Sequence, residues 1–259
     1  MAKFVDIEEG RELDGLRLVL TTGVPGPWGE AAKGICHVKR IPFTRVRQEL
    51  GGTNEILAAW TGQTSAPVAA WNDERPCTTS LEILFLAERI APDPPLLPDD
   101  ADERARMFGY CHELIGEQGF GWCRRLLLLH QALTLSGDAA PDTIRRMAEK
   151  YGYGAAAVEA APDRVIAILR MLAALLERQR SAGKRFLVGD RLSALDIYWA
   201  TFAALLQPLP DEQCPMDAGL RYVYTATGPV RDALDPALLA HRDFIYHEYL
   251  ELPVDCADD

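Results

Sequence analysis

Residues 186–197 read Phe186-Leu187-Val188-Gly189-Asp190-Arg191-Leu192-Ser193-Ala194-Leu195-Asp196-Ile197. Ser193 reads as a helix N-cap. Asp196 stands at the third helical position, from which a carboxylate answers the amide of the cap. Leu192 and Ile197 flank the cap at the spacing of a hydrophobic staple, which fixes the angle at which the chain enters the helix.

Working outward, the surrounding sequence is helical in pattern. Between Asp163 and Gln179, Val165, Ile166, Ile168, Leu169, Leu172, Leu175 and Leu176 form a wide apolar stripe. A further helix is predicted near Thr143–Lys150. A long one is predicted from Asp102 to Leu133, bent at Gly116–Gly121. Asp235-Pro236 is a cap-plus-proline start for a last helix. Residues 91–100 hold four prolines, which continue neither a helix nor a central strand. They read as a linker, and the chain changes character there.

Before the linker, short strand and helix signals alternate. Leu16–Leu20 is the first strand, followed by a loop, Thr21 to Gly26. A helix is predicted from Pro27 to Lys39. Pro27 suits the first helical position, Glu30 favours the first turn, and Trp28, Ala31, Ile35 and Val38 share a face. Phe43–Arg47 and Pro67–Trp71 read as strands. Asn72–Arg75 reads as a turn with a short strand after it. A helix then runs from Thr79 to Arg89, where Thr79 and Glu82 have capping-box spacing.

The 259 residues suffice for one large domain or two small ones, and 48% apolar with 25% charged residues is a globular composition. The net charge of −11 disfavours nucleic acid and anionic membranes as partners. The apolar run near Leu126–Leu129 is too short to span a bilayer. The six cysteines are scattered without a CxxC pair, and Met1 to Glu9 holds no apolar signal core. Reduced thiols in a cytoplasmic protein are the expectation.

The order strand–helix–strand, X-Pro strand, Ser-started helix, proline linker and helical half resembles a cytosolic glutathione transferase. The resemblance runs from about residue 16 to 250. It rests on the Phe186–Asp196 segment, on Ser65-Ala66-Pro67-Val68, which looks like the family's cis-proline loop, and on Thr79-Ser80-Leu81-Glu82-Ile83, which looks like its Glu/Gln-Ser-x-x-Ile segment. The implied fold is an α/β thioredoxin-like N-terminal domain over 16–90, a linker over 91–101 and an all-α C-terminal domain over 102–259. The resemblance implies a glutathione co-substrate, an apolar electrophile bound between the halves, and a homodimer.

Carried onto this sequence, Ala66 beside Pro67 pairs its backbone with the cysteinyl part of glutathione. Ser80 and the first amides of its helix hold the glutamyl carboxylate. An acidic residue from a partner subunit would meet the glutamyl amine, with Glu113 and Glu117 as candidates. Two departures stand out. Thr79 replaces the usual Glu or Gln, and Thr21-Thr22-Gly23-Val24-Pro25-Gly26-Pro27-Trp28 lacks the usual Tyr, Ser or Cys at the thiol position. Either a hydroxyl of Thr21 or Thr22, or the amides near Trp28 with the helix dipole, would stabilise the thiolate. These departures equally suit a second reading, a ligand-binding or interaction protein without catalysis. A thiol–disulfide oxidoreductase would need a Cys where Gly26-Pro27 stands.

Tyr110 and Trp122 are expected on the apolar wall of the second-substrate pocket, and Tyr246 and Tyr249 either close it or pack. Arg124 and Arg125 read as a solvated or ion-paired face, or as flanks of that substrate. Cys36 reads as a packed small hydrophobe. No metal is expected: Cys111-His112-Glu113 are adjacent on a helix and point apart. His37, His130, His241 and His247 show no pattern for a hydrolytic triad.

Overall fold

The computed structural model describes residues 3–256 and divides into two compact units. The first comprises residues up to Pro95 together with Pro210–Met216 and the segment from Tyr249 onward. The second comprises Leu96–Leu209 and Asp217–Glu248. The later half of the sequence therefore sends two segments into the first unit, where the sequence reading kept 102–259 together. Residues 257–259 of that range lie outside the described ones.

The first unit runs β1 (Phe4–Val5), α1 (Ile7–Glu12), β2 (Leu16–Thr21), α2 (Pro27–Val38), β3 (Phe43–Gln48), α3 (Glu55–Thr61), β4 (Val68–Trp71) and α4 (Ser80–Ile90). The sheet order is β1-β3-β2-β4, with β1 and β2 parallel to β3 and β4 antiparallel to β2. β2 is internal and covered on both faces, which is why its sequence is a nearly continuous apolar run. Val19 from one face joins Val46, Leu57 and Val68 in a buried cluster, with Ile7 of α1 and Trp60 of α3 packed against it. Leu20 points to the other face, where α2 approaches it closely at Gly29.

Two sequence expectations change here. Residues 3–15 add an edge strand and a helix. Gly10 is what lets α1 lie on β3, because a Cβ there would stand 2.5 Å from Cγ2 of Val46. The short strand expected after the 72–75 turn is reduced to one bridge, Ala69 to Cys77. Within the first unit the start of the linker is held by Lys39, whose Nζ donates to the Pro94 carbonyl at 2.8 Å.

The second unit runs α5 (Ala101–Ile115), α6 (Phe120–Ser136), α7 (Asp142–Lys150), α8 (Ala155–Ser181), α9 (Ala194–Phe202), α10 (Ala218–Tyr224), α11 (Gly228–Asp232) and α12 (Pro236–Tyr249), with 3-10 turns at Gly137–Ala139 and Ala203–Leu205. The long helix expected over 102–133 is two helices. At Gly119 a Cβ would meet the carbonyls of Glu113 and Gly116 at 2.7 and 2.9 Å, so the tight break admits only glycine. α8 starts eight residues before Asp163, where the helix was expected to begin, and passes through Pro162.

Every residue of α9 is buried. Its start is built as the sequence implies. Asp196 accepts from the amides of Ser193 (3.0 Å) and Leu187 (2.9 Å) and from the Ser193 hydroxyl (2.8 Å), and it meets the His241 ring at 2.8 Å. The Ala194 amide donates to the carbonyl of Leu96, joining α9 to the linker's end. Among the described residues no helix is long and apolar enough to cross a membrane.

Candidate functional site

Three features of the first unit bear on a ligand site, the first two along the edge formed where β2 and β3 end and β4 begins. β2 and β4 are antiparallel with Val19 opposite Val68, so continuing the register by two residues sets Thr21 level with Ala66. The Ala66–Pro67 bond is cis, as the resemblance implied. Gln48, at the end of β3 and 2% exposed, ties this edge together: its Oε1 accepts from the Thr21 hydroxyl at 2.7 Å, and its Nε2 donates to the Thr64 carbonyl at 3.3 Å. Asn54 Nδ2 donates to the same carbonyl at 2.9 Å. Thr21 thus spends its one hydroxyl proton inside the protein, whereas Thr22 is half-buried on the following loop.

That loop leads into α2. Gly26 is the N-cap and supplies no side-chain oxygen, and Pro27 follows at the first helical position. The amides of Trp28 and Gly29 come next, at positions that a capping side chain usually serves. Trp28 is half-buried there. A helix start without a side-chain cap offers N–H donors and the positive end of the dipole to an anion. Glu30, in the same turn, is pulled toward Lys33 at 2.8 Å, while burial pushes its carboxyl above the usual range. Cys36 lies deeper in the helix, where burial pushes its thiol up to about 12 and leaves it inert.

The third feature is the start of α4. Thr79 is the N-cap, and its hydroxyl accepts from the Glu82 amide at 3.2 Å. Glu82 returns the contact: one carboxylate oxygen accepts from the amides of Thr78 and Thr79, both at 3.0 Å, and the other from Arg75 at 2.7 Å. The Arg75 bond, followed by those amides against a burial penalty, holds the Glu82 carboxyl down at about 2. Thr79 and Glu82 are thereby engaged with each other. Ser80 opens the helix half-buried beside them.

The second-substrate residues lie in the second unit and are not brought together by contact with each other. Tyr110 is on α5, where its hydroxyl accepts from Arg178 at 3.3 Å. Trp122 is on α6, where Nε1 donates to the Tyr151 carbonyl at 3.1 Å and the rings pack at 4.6 Å. Arg124 and Arg125 are buried, so the solvated-face reading is corrected. Arg124 Nε and Nη2 reach the carbonyl of Leu205 at 2.9 and 2.6 Å, and burial, then Arg125, lower its pKa to about 10. Arg125 hydrogen-bonds Tyr151. Glu113 is engaged by Arg164 at 2.6 Å. Among the described residues no cluster of His, Cys, Asp and Glu is arranged to hold a metal.

Gln48 and Asn54 were missed by the sequence reading. The only local signal is an amide side chain closing an otherwise alternating strand at Gln48.

No protein-family model and no curated protein matches the sequence. Solved structures do match over nearly the whole chain. The beta-etherase LigF from Sphingobium sp. strain SYK-6 aligns with a TM-score of 0.64 at 16% identity, covering 91% of this chain and 96% of that one. Rice GST1, solved in complex with glutathione, aligns at 0.60 and 20% identity, covering 93% and 94%. A glutathione S-transferase from Methylobacterium radiotolerans JCM 2831, solved with glutathione sulfonate, aligns at 0.57 and 20%, covering 90% and 91%. Together with the cis-proline edge and the two helix starts of the first unit, these alignments establish that the chain has the glutathione S-transferase fold.

Proposed function

We propose that this protein is a glutathione transferase. The observation that carries the reading is the convergence at one sheet edge of the cis Ala66–Pro67 bond, the end of β2, and the start of α2 without a side-chain cap. Solved neighbours of the same fold hold glutathione or its sulfonate, which supports assigning this edge to the tripeptide.

In this reading the cysteinyl backbone of glutathione pairs with Ala66 as an added strand. The glutamyl carboxylate lies at the start of α4 beside Ser80, where the amides and dipole favour an anion. The thiol gives its proton to solvent. The resulting thiolate rests against the Thr22 hydroxyl and the first amides of α2. It then attacks an electrophilic carbon of an apolar substrate: a C–S bond forms, and the displaced electron pair leaves with the leaving group or moves into a conjugated acceptor. Each unit by which the site lowers the thiol pKa stabilises the thiolate by about 1.4 kcal/mol.

The test is titration calorimetry with glutathione on wild type and Ser80→Ala. Saturable binding that weakens several-fold in the variant supports the site. No binding at millimolar glutathione overturns it. A second reading, a glutathione-fold ligand-binding protein without catalysis, is favoured by the absence of a Ser or Cys side chain at Gly26 and by the commitment of the Thr21 hydroxyl to Gln48. Turnover of 1-chloro-2,4-dinitrobenzene or a hydroperoxide above the uncatalysed rate decides against it.

A further inference from the structure

The segment that returns to the first unit ends on the loop between β2 and α2. The Val254 amide donates to the Gln213 carbonyl at 2.7 Å, joining the two returning segments to each other. Asp255 sits between two cations of the first unit. Its Oδ2 is 2.6 Å from Arg45 Nη1, and its carbonyl accepts from Lys33 Nζ at 2.6 Å. Lys33 in turn holds Glu30, in the first turn of α2, at 2.8 Å. The next carbonyl, that of Cys256, accepts from the Gly23 amide at 2.7 Å. Arg45 side-chain exposure is 7% and that of Asp255 is 17%, so the pair is largely shielded from water.

Two ion pairs, Arg45 with Asp255 and Lys33 with Glu30, are thus joined in one run from β3 to α2 through the main-chain carbonyl of Asp255. The run ends at the helix start that the proposed function gives to the thiolate, and the Gly23 bond pins the loop just before it. Gly23 has φ +72°, is exposed and has nothing within 4 Å of a would-be Cβ. Thr21 and Thr22 hold the start of the loop to Gln48 and Pro25 is buried near its end, so at exposed Gly23 between them the Cys256 carbonyl is the anchor. Loop backbones with few buried contacts open readily when their hydrogen bonds are removed.

We propose that residues 254–256 act as a strap that positions the 21–26 loop for thiolate stabilisation, with Asp255 as a positioning residue. Its side chain anchors the strap to Arg45, and the strap's last described carbonyl sets the loop through Gly23. The catalytic half of this inference rests on the glutathione reading; the strap itself does not. The strap contacts Arg45, Lys33, Gln213 and Gly23, and the contact with Gly23 acts on the thiol loop, so the strap sets where the thiol is held rather than how tightly the tripeptide binds.

Two measurements separate the halves. Hydrogen exchange at the Gly23 amide is read in the free protein for wild type, Asp255→Ala, Asp255→Glu and a chain ended after Pro253. Protection at Gly23 is expected to fall at least tenfold in the truncated chain and in Asp255→Ala, and to return in Asp255→Glu. Unchanged Gly23 exchange in the truncated chain overturns the strap. The thiolate absorbance of bound glutathione is then followed against pH. The bound-thiol pKa is expected to rise by half a unit or more in Asp255→Ala, with kcat at pH 7 lowered several-fold and the glutathione Kd within twofold of wild type. A parallel loss of Kd, or an unmoved thiol pKa, overturns the positioning role. A wild-type protein that binds no glutathione overturns the glutathione reading and this role with it, and Gly23 exchange still judges the strap alone.

Discussion

The His241 ring lies 2.8 Å from the Asp196 carboxylate, and neither side chain reaches water. Two oxygens of Asp196 thereby serve the cap amide of α9, the amide of Leu187, the Ser193 hydroxyl and a ring from α12. A buried carboxylate is tolerated when its lone pairs are filled, and removing one partner leaves an expensive deficit. His241→Leu is expected to destabilise the fold by on the order of 3 kcal/mol in urea unfolding. A loss below about 1 kcal/mol would show that the Asp196 cage needs no ring from α12.

The close approach of Gly10 to Val46 yields a separable prediction. A Cβ at residue 10 meets Cγ2 of Val46 at 2.5 Å, and Val46 sits in the cluster with Val19, Leu57 and Val68. The clash is with a stiff β-branched side chain in a packed core, so α1 must shift off β3. Gly10→Ala is expected to cost about 1–3 kcal/mol, the usual range for overpacking. The paired variant Gly10→Ala with Val46→Ala should cost less than the two single changes added together, because the pair shares one space. Strict additivity in thermal unfolding would place the strain elsewhere.

These two relationships also show why some of the molecule could be read from the chain and some could not. Ser193 and Asp196, Thr79 and Glu82, and Pro27 announce helix starts because capping acts over three or four residues. The apolar run of β2 and the X-Pro step before β4 are likewise local. β1 is only two residues long, and it is held by pairing with Arg45 and Val46 about 40 positions on. The 249–256 segment returns to the first unit through long-range contacts such as Asp255 to Arg45 and Cys256 to Gly23, and Val254 ties it to the 210–216 segment at Gln213; such contacts leave no periodic trace. The apolar stripe that marked α8 begins only at Val165, whereas the helix itself starts at Ala155 and continues through Pro162, which removes one amide from the ladder. At the site, Ala66, Pro67 and Ser80 were legible as motif positions. Gln48 was not, since its role is to bridge two loops that only the folded sheet brings together.

Acid should dissect the start of α4. The Glu82 carboxyl is held at about 2, against an ordinary value of 4.5, first by Arg75 and then by the amides of Thr78 and Thr79. A depressed folded-state pKa means that the contribution is fully present above about pH 4.5 and is lost as pH falls toward 2. Glu82→Gln is therefore expected to narrow the stability gap between pH 5 and pH 2. At pH 7, Glu82→Ala should cost about 1 kcal/mol, the scale of a helix cap. Equal acid sensitivity in wild type and Glu82→Gln by thermal melts would remove this carboxylate from the acid response.

The two threonines at the end of β2 are separated by a single test. Thr21 donates to Gln48, which is buried, so Thr21→Val leaves Gln48 Oε1 short of a donor and should cost about 1–2 kcal/mol of stability. The bound-glutathione thiol should titrate as in wild type. Thr22 lies on the loop toward α2, and in the proposed site its hydroxyl donates to the thiolate. Thr22→Val should leave stability within about 0.5 kcal/mol. It should raise the bound-thiol pKa by about one unit, which corresponds to about 1.4 kcal/mol of thiolate stabilisation. Thiolate absorbance against pH, read beside a melting curve, distinguishes the roles. A thiol shift in Thr21→Val alone would mean that the Gln48 contact gives way when glutathione binds. No shift in either variant would assign the thiolate to the amides at the start of α2.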